Sequence, residues 1–552
     1  MSVWHWVART SRAFAVKNNV LLFTLLLAVL LGPIALRPRR DAAPQAGERA
    51  LVLITPHNEA IRVEFGRAFS AFYEKKFGQR VHMDFRTPGG TSEIGRYVAG
   101  EYVGAFQNYW TRTLGKPWSA TVERNFANAK APADDPLAQE ARKAFLASDI
   151  SCKMDLFFGG GAFDFQSQAA AGYLVDCGFV AAHPEIFNDT TIPQTLSGEP
   201  FYDPQGRWVG SVVSSFGIVY NTDSLARLGI AQPPARWDDL GEPAYFHEIA
   251  LANPTQSSSV NKSFEMLIQQ QMQAEVEGRR SKVEGGKLSV EMESEAIRAG
   301  WARAMRLLMR IGANARYFTN ASTKIAIDVG AGEAAAGMTI DFYGRFQSEA
   351  VRRADGSSHV QYVNAAGGTS VGVDPIGLFR GAPNADVAKE FIAFVMSPEG
   401  QRLWNWKVGT PGGPQRYALR RLPILPPLFA PEFSGVRSDP EVNPYELAKT
   451  FTYHEKWTGP LFRSVAFIFR VMCIDTHDEL ADAWGALIAA GFPPAASAAF
   501  AEVSAVDYEV ASGRIKEALG PKKIKEVQLA KELADGFRAQ YRRAAELARA
   551  GK

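Results

Sequence analysis

An α/β fold is predicted by three features of the sequence. Residues 51–85 read strand, helix, strand; an apolar run at 154–158 stops at Gly159, Gly160 and Gly161 and passes into an Ala/Gln-rich helix; and hydroxyl-rich loops at 87–92 and 255–259 each follow a strand and open a helix. Alternation of short β runs with helical spacing is the pattern of sheets covered by helices.

The length and composition permit this architecture. A chain of 552 residues with 46% hydrophobic content can bury large cores in two or three domains. Its formal net charge of +3 gives no basis for a nucleic-acid partner. Cys152, Cys177 and Cys473 are too few and too scattered for a disulfide framework or a thiolate metal site; Cys152 and Cys177 are either a pair in an oxidising compartment or two free thiols.

The N-terminus reads as an address. Arg9, Arg12 and Lys17 precede an apolar run at 20–36, and Arg37, Arg39 and Arg40 follow it at once, the pattern of an export signal or a short signal anchor. No Ala-x-Ala ends the run and no cysteine follows it to carry a lipid, so an uncleaved anchor is favoured over a cleaved peptide. The remainder then lies outside the cytoplasmic membrane, after a linker ending at residue 48.

In chain order, residues 51–55 form an apolar strand, and 59–77 carry Ile61, Phe65, Phe69 and Phe72 at helical spacing. Residues 81–85 alternate as a second strand. The turn Gly89, Gly90, Thr91, Ser92 then sits at the start of the helix containing Ile94 and Val98, where unpaired N–H groups and a partial positive charge suit an anion; equally, Thr91 or Ser92 is simply the N-cap. Residues 101–148, polar and aromatic with several prolines, read as an insertion. The glycine triplet, Gly160 and Gly161 above all, is either an ordinary strand-to-helix turn or the edge of a binding cleft. Beyond it, 209–213, 217–221 and 249–252 are strands, and Thr255, Ser257, Ser258 and Ser259 open the helix through Phe264 and Ile268, a second candidate anion cradle.

The order FFGGG, DPQGRW, GIVYN, WDDL and IALANPTQSS, then a Gly-Glu helix start at Gly332 and Glu333, MTIDFY at 338–343 and the run from Asp374 to Trp404, resembles the extracellular solute-binding proteins of bacterial ABC importers, in particular the subgroup containing the ferric-iron-binding proteins. The resemblance covers roughly residues 51–425. It implies a two-lobed type II periplasmic-binding-protein fold with a ligand cleft between the lobes, no catalysis, and an ABC permease and ATPase as partners. The expected organisation is a signal segment and linker at 1–48; a solute-binding domain at 49–435, with lobe 1 at 49–215 and 365–435 and lobe 2 at 216–364; and a mainly helical extension at 436–552. The β-rich runs 209–221 and 367–379 suit crossings between lobes. Capture by such a protein works through closure, because only the closed state makes all contacts. HExxH and Walker motifs are absent from the sequence; a hydrolase using Asp341 with His57 is the alternative class.

Two ligand classes follow from the resemblance. Ferric-iron-binding relatives use a histidine after the first strand, a carboxylate and two adjacent tyrosines. Here His57 and Tyr343 match as metal ligands, but the first tyrosine place holds Phe342, so Fe(III), as transported ligand and not as cofactor, would need Asp341, Glu59 or solvent to complete its coordination. Other members bind phosphorylated organic compounds. For these, Gly89, Gly90, Thr91, Ser92, the glycine triplet and residues 255–259 would supply donors to phosphate, while Asp341, His57 or Tyr343 meets the organic part. The extension departs from the family pattern; its last helix places Val527, Leu529, Leu533 and Phe537 near one face and reads as packing on the parent lobe.

Overall fold

The protein is described by a computed structural model covering residues 25–27, 48–520 and 523–552. The run 20–36 and its charged flanks therefore lie outside the described residues, apart from a helical turn at 25–27. The chain divides into units 1–49 and 50–552.

The first half-lobe follows the predicted order. β1 (Arg49–Ile54) leads to α1 (Glu59–Phe77), β2 (Val81–Arg86), α2 (Thr91–Asn108), α3 (Ala120–Asn125), α4 (Pro136–Leu146), β3 (Leu156–Phe158), α5 (Ala162–Ala171) and β4 (Leu174–Val175). Local chemistry sets the ends of α1. Asn58 caps its first turn by accepting from the Ile61 N–H, and Gly78 ends it in the left-handed region. Residues 101–148 are not a separate decoration: 101–108 continue α2, and Tyr102 and Phe106 on it are fully buried against Phe126, Phe145 and Tyr173.

After a two-stranded hairpin of β5 (Thr195–Leu196) and β6 (Glu199–Pro200), β7 (Val209–Ser214) belongs to the first sheet and β8 (Phe216–Asn221) to the second. The second lobe continues with α6 (Thr222–Arg227), β9 (Ile249–Ala252), α7 (Ser258–Arg280), α8 (Val290–Ala313), β10 (Ala315–Thr319), α9 (Ser322–Gly330), β11 (Ala336–Ile340), α10 (Asp341–Ala350) and β12 (Val360–Asn364). Gly332 and Glu333, expected to start a helix, instead lie in the turn after α9 that feeds β11. Gly332 has φ +77, a conformation that closes a helix and does not open one. β13 (Gly372–Phe379) returns to the first sheet, followed by α11 (Ala385–Met396) and α12 (Pro398–Asn405).

Sheet one has the order β2-β1-β3-β13-β4, with β7 also on β13; sheet two has the order β10-β9-β11-β8-β12. β1 and β3 are parallel, Leu53 opposite Leu156, whereas β13 is antiparallel to β3 and β7. The chain thus crosses between sheets at 214–216 and again at 365–371. The crossings are pinned to one another: the Phe216 N–H donates to Thr369 Oγ1 at 2.9 Å and the Ser215 hydroxyl to Asn364 Oδ1 at 2.9 Å. Buried strand residues such as Leu53, Leu156, Ile218, Leu251 and Met338 form the cores under the helices.

The extension folds onto lobe 2 through α13 (Phe462–Phe469) and α14 (His477–Ala490), and α15 (Pro494–Phe500) and α16 (Lys523–Arg549) pack on α14. Trp301 Nε1 on α8 donates to the Val506 carbonyl at 2.9 Å, and Trp484 Nε1 on α14 donates to Asn314 Oδ1 at 2.8 Å. Leu529, Leu533 and Phe537 of α16 are buried against α14 and α15 and so pack within the extension; Val527 is 62% exposed. The apolar stretch Glu455–Ile474 has the length and composition of a membrane span, yet 67% of it is buried inside the fold, which marks it as core. The three cysteines are free and buried.

Candidate functional site

A cleft of about 570 Å³ lies between the two sheets' helices, and several helix starts open onto it. Lobe 1 contributes Gly89, Gly90 and Thr91 at the start of α2, and Gly160, Gly161 and Ala162 at the start of α5; lobe 2 contributes Ser257, Ser258 and Ser259 at the start of α7, and Ala321 and Ser322 at the start of α9. The α2 and α7 starts face each other, with Thr91 Oγ1 and Ser258 Oγ 2.9 Å apart; Ser259 Oγ lies 2.9 Å from Ser322 Oγ. The positive ends of helix dipoles from both lobes therefore converge with hydroxyl donors on one space.

Two glycines of the triplet, Gly159 and Gly160, are required by close packing. Gly159 has φ +86, and a Cβ there would sit 2.4 Å from the His57 ring; Gly160 has φ +121, and its Cβ would meet Thr91 Cγ2 at 2.6 Å. Any side chain would push the His57 ring or the α2 start away from the wall.

Behind the wall lies Arg421, which is fully buried. Its guanidinium donates to Ser214 Oγ at 2.7 Å and to His57 Nε2 at 3.1 Å, pairs with Asp374 Oδ2 at 2.7 Å, and lies 4.0 Å from the centroid of the Phe342 ring. A guanidinium only donates, so His57 Nε2 is the acceptor and the ring's proton sits on Nδ1. Burial, reinforced by Arg421, holds the His57 pKa well below its ordinary value. Asp374 is raised by burial, with Arg421 opposing. Asp164, on the cleft wall in the first turn of α5, is pushed up to about 6 by burial.

The sequence-derived residues divide by position. His57, Gly89, Gly90, Thr91, Gly160, Gly161, Ser257, Ser258 and Tyr343 line the cleft. Ser92 stands just behind, its hydroxyl 3.5 Å from Ser258 Oγ. Thr255 is turned onto its own loop, its hydroxyl donating to Asn253 Oδ1 at 2.7 Å. Asp341 is fully buried off the wall, accepting from the Phe342 N–H at 2.8 Å and from Arg345 Nη1 at 3.1 Å, so its oxygens have partners unrelated to His57. Tyr343 has its phenol pushed up to about 12 by burial. Among the described residues no group of three or more His, Cys, Asp or Glu side chains is arranged to hold a metal ion.

Sequence reasoning missed Arg421, Asp374, Lys262 with its carboxylate partners, and the whole contribution of the extension. Lys262 Nζ pairs with Glu199 Oε1 at 2.8 Å and Glu265 Oε2 at 2.9 Å, and lies 3.6 Å from the centroid of the Tyr453 ring. Two adjacent arginines in an otherwise apolar run, Leu419 to Leu422, were the one available signal for Arg421.

Two α/β lobes joined by two pinned crossings, with a cleft lined by hydroxyls and helix starts, define a ligand-capturing protein of the two-lobed periplasmic-binding-protein fold. Residues 151–430, half of the chain, match the model for the bacterial extracellular solute-binding protein family, and the chain belongs to that family. Membership supports a binding role and not a catalytic one. Among curated relatives, an uncharacterized protein of Haemophilus influenzae is 26% identical over 261 residues, 46% of this chain and 61% of that one. The phosphoglycerate transport regulatory protein PgtC of Salmonella typhimurium is 25% identical over 195 residues, 35% of this chain and 40% of PgtC, so the matches span less than two thirds of either relative. Similar solved structures include AfuA from Actinobacillus pleuropneumoniae with fructose-6-phosphate bound (17% identity, 64% of this chain and 82% of that one, TM-score 0.41) and iron-bound HitA from Pseudomonas aeruginosa (14% identity, 76% and 99%, TM-score 0.43). Neither likeness bears on the ligand.

Proposed function

We infer that the protein captures a small organic anion of the phosphate-ester type, with hydroxyls on its organic body, outside the cytoplasmic membrane and hands it to an ABC permease and its ATPase. The observation that carries this reading is the convergence of the α2 and α5 starts from lobe 1 with the α7 and α9 starts from lobe 2 on one cleft. A phosphate accepts several hydrogen bonds at once, and helix N-termini with flanking hydroxyls supply donors of the right sign. Asp164 and Asp374 on the same wall are acceptors for a hydroxyl-bearing body, and the phosphoglycerate connection of PgtC agrees with this class. Fe(III) as cargo is less well supported: Arg421 occupies the His57 Nε2 lone pair, a cation lies over Phe342 where the relatives have a tyrosine, and Tyr343 resists ionisation.

Titration of Ser258→Ala and Tyr343→Phe against ferric citrate and a panel of sugar phosphates and phosphoglycerates tests this. Charge-assisted hydrogen bonds are worth about 1.5–3 kcal/mol, so Ser258→Ala should weaken phosphate-ester binding roughly ten-fold or more while Tyr343→Phe changes it little. Tight ferric binding that only Tyr343→Phe abolishes would overturn the reading. Ser257 is left intact because it caps α7 through the Val260 N–H.

The segment 20–36 is proposed to hold the protein at the membrane as an uncleaved anchor. Fractionation should find the full chain with membranes and a chain shortened to begin at Glu48 in the soluble fraction. A soluble natural product beginning near Asp41 would replace anchoring with cleavage.

A further inference from the structure

The extension walls the cleft. Tyr453, Glu455, Gly459, Pro460 and Phe462 all line it, between the α7 start and the lobe 1 wall. This segment is fixed to lobe 2 by a set of buried contacts. Gln269 on α7 grips it like a paired strand, its Nε2 donating to the His454 carbonyl at 2.9 Å and its Oε1 accepting the His454 N–H at 2.7 Å. Glu265 accepts from the Tyr453 and Thr458 hydroxyls at 2.8 and 2.6 Å, and Asn261 Nδ2 donates to the Phe462 carbonyl at 2.8 Å. On the other side, the Tyr453 N–H donates to the Ser197 carbonyl in the β5–β6 hairpin at 2.8 Å.

Toward lobe 1 the segment offers one aromatic contact. The Phe462 ring lies 4.7 Å, centroid to centroid, from Phe163, the second residue of α5, and Phe163 is 41% exposed. Both rings line the cleft. We propose that Phe163 and Phe462 form an aromatic gate across the cleft mouth, by which the C-terminal extension, moving with lobe 2, latches lobe 1 and biases the unliganded protein toward closure. The physical basis is an asymmetry of bonding. Opening leaves the many polar contacts of 453–462 with α7 unchanged, whereas it exposes two aromatic faces to water at the mouth. Other contacts also join the lobes, Thr91 to Ser258 and Lys262 to Glu199 among them, but these are polar pairs whose groups regain water on opening, whereas the ring pair is the apolar contact whose separation water opposes.

The inference does not depend on which solute is bound, and its test needs none. Spin labels at Lys75→Cys on α1 and Ile327→Cys on α9, both exposed, report the interlobe distance by pulsed EPR in the full chain, since the three native thiols are buried. The ligand-free protein should give a single short-distance population. Phe163→Ala and Phe462→Ala should each shift the closed-to-open ratio about five- to ten-fold and add a longer-distance population. Phe163 is exposed, so its replacement leaves the core unaltered and thermal unfolding should be unchanged, which keeps the measurement interpretable if Phe462→Ala folds poorly. A Phe163→Ala distribution identical to the parent's, or a parent already as open as the variant, overturns the gate.

Discussion

Arg421→Met is expected to lower unfolding stability by about 3–5 kcal/mol, the cost of removing one member of a fully buried ion pair. The guanidinium has no access to solvent, and it alone joins Asp374, Ser214 and His57 across β13, β7 and the β1 end. Without it Asp374 loses the charge that opposes its desolvation, and the carboxyl rises further toward protonation. The second substitution of a pair identifies the mechanism: Arg421→Met/Asp374→Asn removes the unpaired charge and should recover a large part of the loss. Denaturant unfolding of the single and double variants measures both. A loss below about 1 kcal/mol in the single variant, or no recovery in the double, would show that the guanidinium is held by packing alone.

Glu64→Gln is the second large effect. Glu64 is on the buried face of α1, where its carboxylate accepts N–H groups from Gln415 at 2.9 Å, Arg416 at 2.5 Å and Tyr417 at 2.9 Å, and from Arg67 Nη2 at 3.0 Å. It ties the segment leading to Arg421 back onto the first helix. Three backbone N–H groups and the arginine outweigh burial and hold its pKa below 4.5. Its charge therefore contributes stability that is fully present above pH 4.5 and is lost as pH falls through the depressed folded value. The amide keeps the shape but not the charge, so at pH 7 the variant should be about 2–3 kcal/mol less stable. That gap should close on acidification below pH 4.5, as the wild-type carboxyl takes up its proton. A gap independent of pH would assign the loss to steric fit.

The legible parts of the sequence were those governed by local periodicity. The bounds of α1 and β9 follow directly from apolar spacing and caps, and the hydroxyl loops before α2 and α7 were readable because Thr91 and Ser257 to Ser259 announce helix starts. The Gly332 and Glu333 assignment failed because a glycine ending one helix resembles one that opens another when the neighbouring strand is short. Asp341 and Thr255 looked like site residues by their neighbours in the chain. Their side chains are instead taken by local partners, Arg345 one turn further along α10 and Asn253 two residues back in the same loop, and whether such a neighbour or the cleft takes a polar group is decided by side-chain direction in the fold.

By itself, the sequence determined the α/β layering, the two crossings between lobes, the family and the helix starts on which an anion cradle is built, because all of these are written in runs of fewer than about twenty residues. Tertiary structure alone decided the interior of the cleft. Arg420 and Arg421 are identical neighbours, yet one pairs with Asp439 and Glu349 and the other is sealed behind His57, because the backbone turns at Arg420, whose φ is +52, and sends the two side chains to different partners. The same holds for the extension, whose Thr458 and Phe462 meet their partners on α7 across 193 and 201 positions of chain: contact across that much chain is fixed by the summed packing of α8, α13 and α14, for which no local pattern exists.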